Sequence, residues 1–576
     1  MLLMLVLLRL ERRLQIGTAG AQPESAVTGA RLAQATGGDH EFGKAHWIAL
    51  LGAFVWLAHP LFVSTTLYVV QRHAMLPLTF VLLAFLSWDA GYGRLRRGLT
   101  LAGIAWIVLG VGGCSLLAGL SKANGFLAPL LVLVAIAVVY GPDLTKQPPA
   151  IRRRIRLTAG VVLGIPAALV LMYLIARLGR GFDFSGVRDF TLGERLMTQP
   201  RVLLDYIGLL LAPRAGGGGV FVEGFQASRG LFQPWTTLPA MLTVLGLITA
   251  AVVSARRMPA LSFAVLFYFA AHLMESSVIM LELYFEHRNY LPAAFLGWPL
   301  ARWLVTGRLL PGLRAALVLV IPVALLLLTF LRAGLWGDPV LLAAASASHN
   351  PQSVRAQADA ATRLAQEGDP FIAAQHLRNA LETRPDSVEI ALNLIGIECR
   401  MGAVSADALW RGREALSRNR VWHQSLIVWM KNLMSPAVRQ ACAGLDLDAV
   451  ASLVTEMAAN PSASSGVPRR QNLLHLQGHL AIQQGDLDLA LERFNQALDL
   501  RPQPDFALSQ AADLGNAGFS AWGLRHLDYY LSMPEPGLRR VRSMQSLHNW
   551  LLHRSGYYRE EIKYLRDALA KDADPD

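Results

Sequence analysis

LRAALVLVIPVALLLLTFLR, residues 313–332, is an almost unbroken apolar run with Arg314 near its start. A helix that crosses a bilayer needs roughly 20 mostly apolar residues, and this run supplies them. It is also the last run of its kind. Residues 1–335 are dense in Leu, Val, Ala and Trp, whereas 336–576 read as ordinary polar helical protein. The chain therefore divides into a multi-span membrane domain of about nine or ten helices, 1–335, and a second domain, 336–576.

Composition agrees. The 576 residues are 53% hydrophobic and 16% charged, against about 25% charged in a soluble protein, and the mean hydropathy is +0.37. The net charge of +12 does not point to nucleic acid, because the arginines cluster beside apolar runs, where membrane topology wants them. Three cysteines make no disulfide framework and no metal-type spacing. A Cys399–Cys442 bridge is open to the chain if that region lies outside the cytoplasm.

Working back from 313–332, the other expected spans are 45–63, 76–92, 99–119, 124–141, 157–178, 236–254, 259–279 and 289–306. Residues 202–212, VLLDYIGLLLA, are too short to cross and read as an interfacial or re-entrant helix. Basic loops follow alternate spans: RLRRG at 94–98, KQPPAIRRRIR at 146–156, and ARR at 255–257, with Arg308 and Arg314 beside 307–312. Lys and Arg mark the cytoplasmic side. The outward set is then 60–75, 120–123, 179–235, 280–288 and everything after about 333, so the second domain is expected in the periplasm of a bacterial cell.

That second domain repeats itself. Gly478, Gly485, Ala490, Phe494, Ala497 and Pro502 fall where a 34-residue tetratricopeptide repeat places them, and Gly368, Ala373, Leu377, Ala380 and Pro385 match the late positions of another. Degenerate units follow at 518–531 and 556–569. The fold expected is all-α: a polytopic transmembrane bundle followed by an extracytoplasmic tetratricopeptide-repeat α-solenoid, which offers a concave binding surface and little chemistry.

No Walker loop, dinucleotide fingerprint, GxSxG or HExxH occurs, and no metal or cofactor is expected. Three outward polar clusters remain. HPLFVSTTLYVVQRHAMLP, 59–77, carries His59, Tyr68, Gln71, Arg72 and His73. Arg72 can fork onto a lipid-linked phosphate, or simply snorkel at the interface. LSKANGFLAP, 120–129, sets Lys122 in a turn, with an ordinary charged turn as the alternative. LELYFEHRNYLPAAFLGWPL, 281–300, gathers Glu282, Glu286, His287, Arg288 and Tyr290 between apolar runs. Ionisable residues there are functional candidates; a Glu286–Arg288 or Glu286–Lys122 pair holding two helices is the alternative. The long outer loop 179–235 adds Glu194, Arg195, Arg201, Asp205 and Arg214, with AGGGG, 215–219, as a flexible break.

These strings, in this order and followed by the repeats, resemble the transmembrane and tetratricopeptide repeat protein family and its bacterial relatives, within the GT-C class of polyprenyl-phosphate-sugar-dependent glycosyltransferases. The matching segments are AHPLFVSTTLYVVQRHAML, LLAGLSKANGFLAPLL, FTLGERLMTQPRVLLDYIGLLLAP and LELYFEHRNYLP. The resemblance implies a lipid-phosphate-linked sugar in a groove at the outer membrane face. Arg72, Lys122 and Arg288 would hold the leaving phosphate, supported by His59, Gln71, Glu286, His287 and Tyr290, and the repeats would present a periplasmic acceptor protein. The family also carries an earlier span and an outer loop with paired acidic residues. Here Asp39 and Glu41 fall on the cytoplasmic side, so no catalytic acid is assigned, and the coding frame is expected to extend upstream of Met1. Two competing readings are a membrane-anchored tetratricopeptide scaffold without catalysis and an O-antigen ligase or oligosaccharyltransferase-like enzyme.

Overall fold

The computed structural model describes residues 1–19, 30–179, 190–217, 219–222, 224–420, 425–534 and 544–573. Its regular elements there are all helical, apart from two isolated bridges, Gly230 with Gln233 and Ala403 with Ala443. Asp39 and Glu41 sit in a helix, Ala30–Leu57, but their side chains lie outside the described set. The chain forms two compact units that divide between Ser353 and Val354.

In the first unit, five described helices are long and apolar enough to cross a membrane: Val69–Arg96, Thr100–Ser121, Ala123–Thr145, Pro149–Leu178 and Pro311–Gly337. A sixth candidate is the pair Gly43–Leu57 and Pro60–Leu67, bent by 49°. Proline explains the bend. Pro60 disfavours helical geometry in the residue before it, and His59 is extended at φ −79°, ψ 124°. Thr237–Val253 and Pro259–His272 are shorter apolar helices. The run 289–306 differs most from a continuous span. It holds a short 3-10 turn, Pro292–Phe295, and a ten-residue helix, Gly297–Thr306, because the polar residues before it and Pro292 interrupt the backbone ladder.

Apolar packing centres on a ring cluster. Phe295 meets Phe267 at 4.7 Å and Phe263 at 5.0 Å, and Trp298 lies 5.8 Å from Phe263. The first helix, Leu2–Ala19, belongs to this core: Val6, Leu7 and Leu10 are buried in it. Its polar residues find partners on neighbouring helices. Arg13 donates to Asp89 at 2.7 Å, Asp89 also accepts from Tyr140 at 3.2 Å, and Tyr92 donates to Asp143 at 2.8 Å. Glu11 accepts from Trp298 at 3.0 Å and pairs with Arg302. Charges placed among apolar helices are tolerable only when paired and hydrogen-bonded, and these are.

The second unit is built of short helices packed in consecutive pairs, such as Val467–Gln484 with Leu487–Leu500 and Pro504–Asn516 with Ser520–Ser532. Sequence punctuation sets the ends. Ser387, Ser405, Asp446 and Asp486 each accept a backbone N–H as helix caps. Gly478 lies beneath the ring of Phe494, where any Cβ would collide with it. Gln471 then joins the two helices of its own pair by donating to the carbonyls of Ala497 and Arg501 at 3.0 and 2.8 Å. Cys399 and Cys442 form a disulfide with a Cα separation of 4.7 Å.

Candidate functional site

The segment 275–290 runs outside helical geometry for much of its length, so its carbonyls need partners from elsewhere. The amphipathic helix Leu192–Leu211 supplies them. Its first turn carries a capping box between Thr191 and Glu194. Arg195, Gln199 and Tyr206 then fall on one face, at helical spacing. Arg195 is fully buried and donates to the carbonyls of Ser277 (2.9 Å), Glu275 (2.6 Å), Leu281 (2.5 Å) and Glu282 (3.2 Å). Gln199 donates to Leu283 at 3.0 Å, and Tyr206 both donates to the Phe285 carbonyl and accepts its N–H, at 2.8 and 2.7 Å. One helix face thus holds the loop in a single shape. Glu194 works from its exposed side, pairing with Arg229 at 2.9 Å.

The loop so held carries the cations. Arg288 is 4% exposed. One guanidinium nitrogen donates to the Leu283 carbonyl at 3.2 Å, and the group sits 5.3 Å from the Phe285 ring centroid. No carboxylate among the described residues forms an ion pair with it. Lys122, on the turn between two spans, pairs with Glu275 at 2.6 Å, and Asn124 adds a bond to the other oxygen at 3.4 Å. His287 stacks on Phe285 with centroids 5.0 Å apart. Burial, and then the charges of Lys122, Arg288 and His73, push its imidazolium down to about 2, so the ring is neutral at any physiological pH. The depression is mainly the cost of burying a charge, and the neighbouring cations add to it.

Glu286 faces Arg332, the arginine that closes the last apolar run, and both are almost fully buried. The glycine stretch lies against this pair. Gly217 is buried, and a Cβ there would stand 2.6 Å from an Arg332 nitrogen and 3.0 Å from a Glu286 oxygen. The stretch expected to be a flexible break is therefore a place where backbone approaches a buried ion pair. Beside it is a small cleft of about 10 Å³, room for about one water, lined by Ser64, Tyr68, Phe285, Glu286, His287 and Trp336, with Gly219, Val220 and Val222 closing it.

His59, at the bend of the broken span, is buried. Its Nδ1 accepts the N–H of Leu61 at 3.2 Å, so Nε2 carries the proton and donates to the Leu210 carbonyl at 3.1 Å. Tyr290 packs edge-on against Trp56 and Phe62, with centroids at 4.9 and 5.5 Å. Gln71 is half-buried. Arg72 is exposed, with Nε on the Thr66 carbonyl at 2.9 Å. Lys122, His287 and Arg288 are thus brought together, and Arg195, Glu286 and His59 hold the surrounding backbone. The sequence reading missed Glu275 and Arg332. Both lie inside expected spans, where an ionisable residue is itself a signal.

Among the described residues, no group of three or more His, Cys, Asp or Glu could hold a metal ion. No protein-family model matches the chain, and no curated protein matches it significantly.

Proposed function

We propose that the protein is a membrane glycosyltransferase that moves a sugar from a polyprenyl-phosphate-linked donor to a periplasmic protein or glycan. One observation carries this reading: Arg288 is buried, lacks a carboxylate partner among the described residues, and shares its surroundings with Lys122 and a neutral His287. A buried unpaired charge costs several kcal/mol. An anion that binds there recovers that cost, and a phosphate leaving group is such an anion. Arg288 and Lys122 then neutralise the charge that develops as the sugar departs. Arg72, exposed on the segment expected to face outward, meets the phosphate as it arrives.

The catalytic base stays unassigned. Glu194, Glu275 and Glu286 each already have a cationic partner, so they orient neighbours and are poor proton acceptors. That same neutralisation favours the second reading, a non-catalytic tetratricopeptide scaffold. In the proposal, the GT-C-like bundle sits in the bacterial inner membrane and the repeats form a periplasmic solenoid that recruits the acceptor. The alternating basic loops support this placement, as does the Cys399–Cys442 bridge, since disulfides persist in oxidising compartments.

The test is transfer itself. Protein reconstituted in vesicles receives polyprenyl-phosphate-linked radiolabelled sugars and a periplasmic extract. Label is expected in the protein or glycan fraction, falling by about 100-fold or more in Arg288→Ala. A well-folded wild type that transfers nothing from any such donor supports the scaffold.

A further inference from the structure

A short finger precedes the apolar helix Thr237–Val253. Its sequence is GLFQPW, 230–235. Gly230 and Gln233 exchange backbone bonds at 3.3 Å, and the Arg229 N–H donates to the Gln233 carbonyl at 2.8 Å. The Leu238 N–H donates to the Leu231 carbonyl at 3.1 Å, which fixes the finger against the first turn of the helix. Its base is fixed as well. The Ser228 N–H donates to Thr198 at 2.7 Å, the Ser228 hydroxyl bonds Thr237 at 2.8 Å, and Arg229 pairs with Glu194. The finger is therefore a built element.

What it presents is apolar. Phe232 is 70% exposed, Trp235 74% and Leu231 44%. Large aromatic side chains are not left in water without reason. The helix that follows gives the reason. It has 17 residues, which at 1.5 Å per residue make about 25 Å. A hydrocarbon core is about 30 Å thick. Arg256 and Arg257 follow its C-terminal end and fix that end at the interface, so the shortfall of about 5 Å falls at the N-terminal end. Leu242 and Leu245 of the helix are exposed as well, an apolar surface that suits lipid.

We infer that the 230–235 finger is a lipid anchor. Leu231 and Phe232 enter the acyl chains of the leaflet at the N-terminal end of Thr237–Val253 and complete the apolar length that the helix lacks. Trp235 sits at headgroup level, where an indole has an apolar body and one N–H to donate. This inference does not depend on the enzymatic reading.

The experiment places a fluorophore on the finger. Cys114 is the one cysteine outside the disulfide, so a Cys114→Ala background accepts a single label through Phe232→Cys. Phe232 is exposed, and its replacement removes little packing. Labelled full-length protein is reconstituted in vesicles of phosphatidylcholine and phosphatidylglycerol. The expected result is loss of intensity with nitroxide-bearing acyl chains and no loss with aqueous cobalt. Quenching by cobalt and indifference to the nitroxide lipids would overturn the anchor. A second label at Leu231→Cys, also placed among the acyl chains, keeps the test open if the first variant misfolds, with the same two outcomes.

Discussion

Arg195 and Arg288 are both buried arginines on the same polar knot, yet they do different work. Arg195 spends its donors on at least four loop carbonyls, so it is a structural clamp. Arg195→Met should unfold the loop 275–288, because those carbonyls lose charge-assisted bonds worth about 1.5–3 kcal/mol each. The expected reading is a large fall in melting temperature and yield in detergent, and an unchanged melting temperature would remove the clamp. Arg288 makes one carbonyl bond, so Arg288→Gln should preserve the fold. Its charge was legible in the sequence, because four polar residues interrupt an apolar stretch. The partners of the other charges were not. Glu286 and Arg332 lie 46 positions apart, and Arg13 and Asp89 lie 76 apart. Nothing local records such pairings. Only the presence of Asp89, Glu275 and Arg332 within expected spans hinted that each had one.

At the level of elements, helices were easier to read than their interruptions. Apolar length identified most spans, since backbone in lipid has few options. The 289–306 run misled because hydropathy averages over Pro292 and the polar knot. AGGGG misled for a different reason: glycine serves both flexibility and close approach. Gly217→Ala should displace the Glu286–Arg332 pair and destabilise the first unit by about 1–3 kcal/mol, measurable as a lower melting temperature; no shift would mean the loop can move aside. In the second unit, burial, and for His475 also the charge of Lys431, lower His475 to about 4, and burial lowers His526 likewise. His526 lies 2.8 Å from Asn495 Oδ1 and 3.0 Å from Gln510 Oε1, and a neutral ring has one N–H to donate to these two acceptors. The unfolded chain protonates these histidines near 6.5. Stability is therefore present above pH 6.5 and lost as pH falls from 6.5 towards 4. Hydrogen exchange across 467–532, corrected for intrinsic rate, should accelerate over that window. Flat protection from pH 7 to 4.5 would contradict the burial. Asp513 does not add to this window. Its burial is outweighed by its hydrogen bond from His479 and the nearby Lys431, which lower its pKa, so it acts only at more acidic pH.

For the whole molecule, the proposal requires the second unit to lie outside the cytoplasm. A phosphatase fused to the C-terminus should be active, and Cys399 and Cys442 should resist maleimide until reduced. An inactive fusion together with two freely labelled thiols would reverse the orientation. The central claim is that the buried Arg288 group receives a lipid phosphate. The most direct measurement is native mass spectrometry of the detergent-solubilised protein with added polyprenyl phosphate. Wild type should retain one molecule, and Arg288→Gln, with a melting temperature no lower than wild type, should lose it by about tenfold or more, the loss of one charge-assisted bond. Equal retention by both proteins would contradict the account.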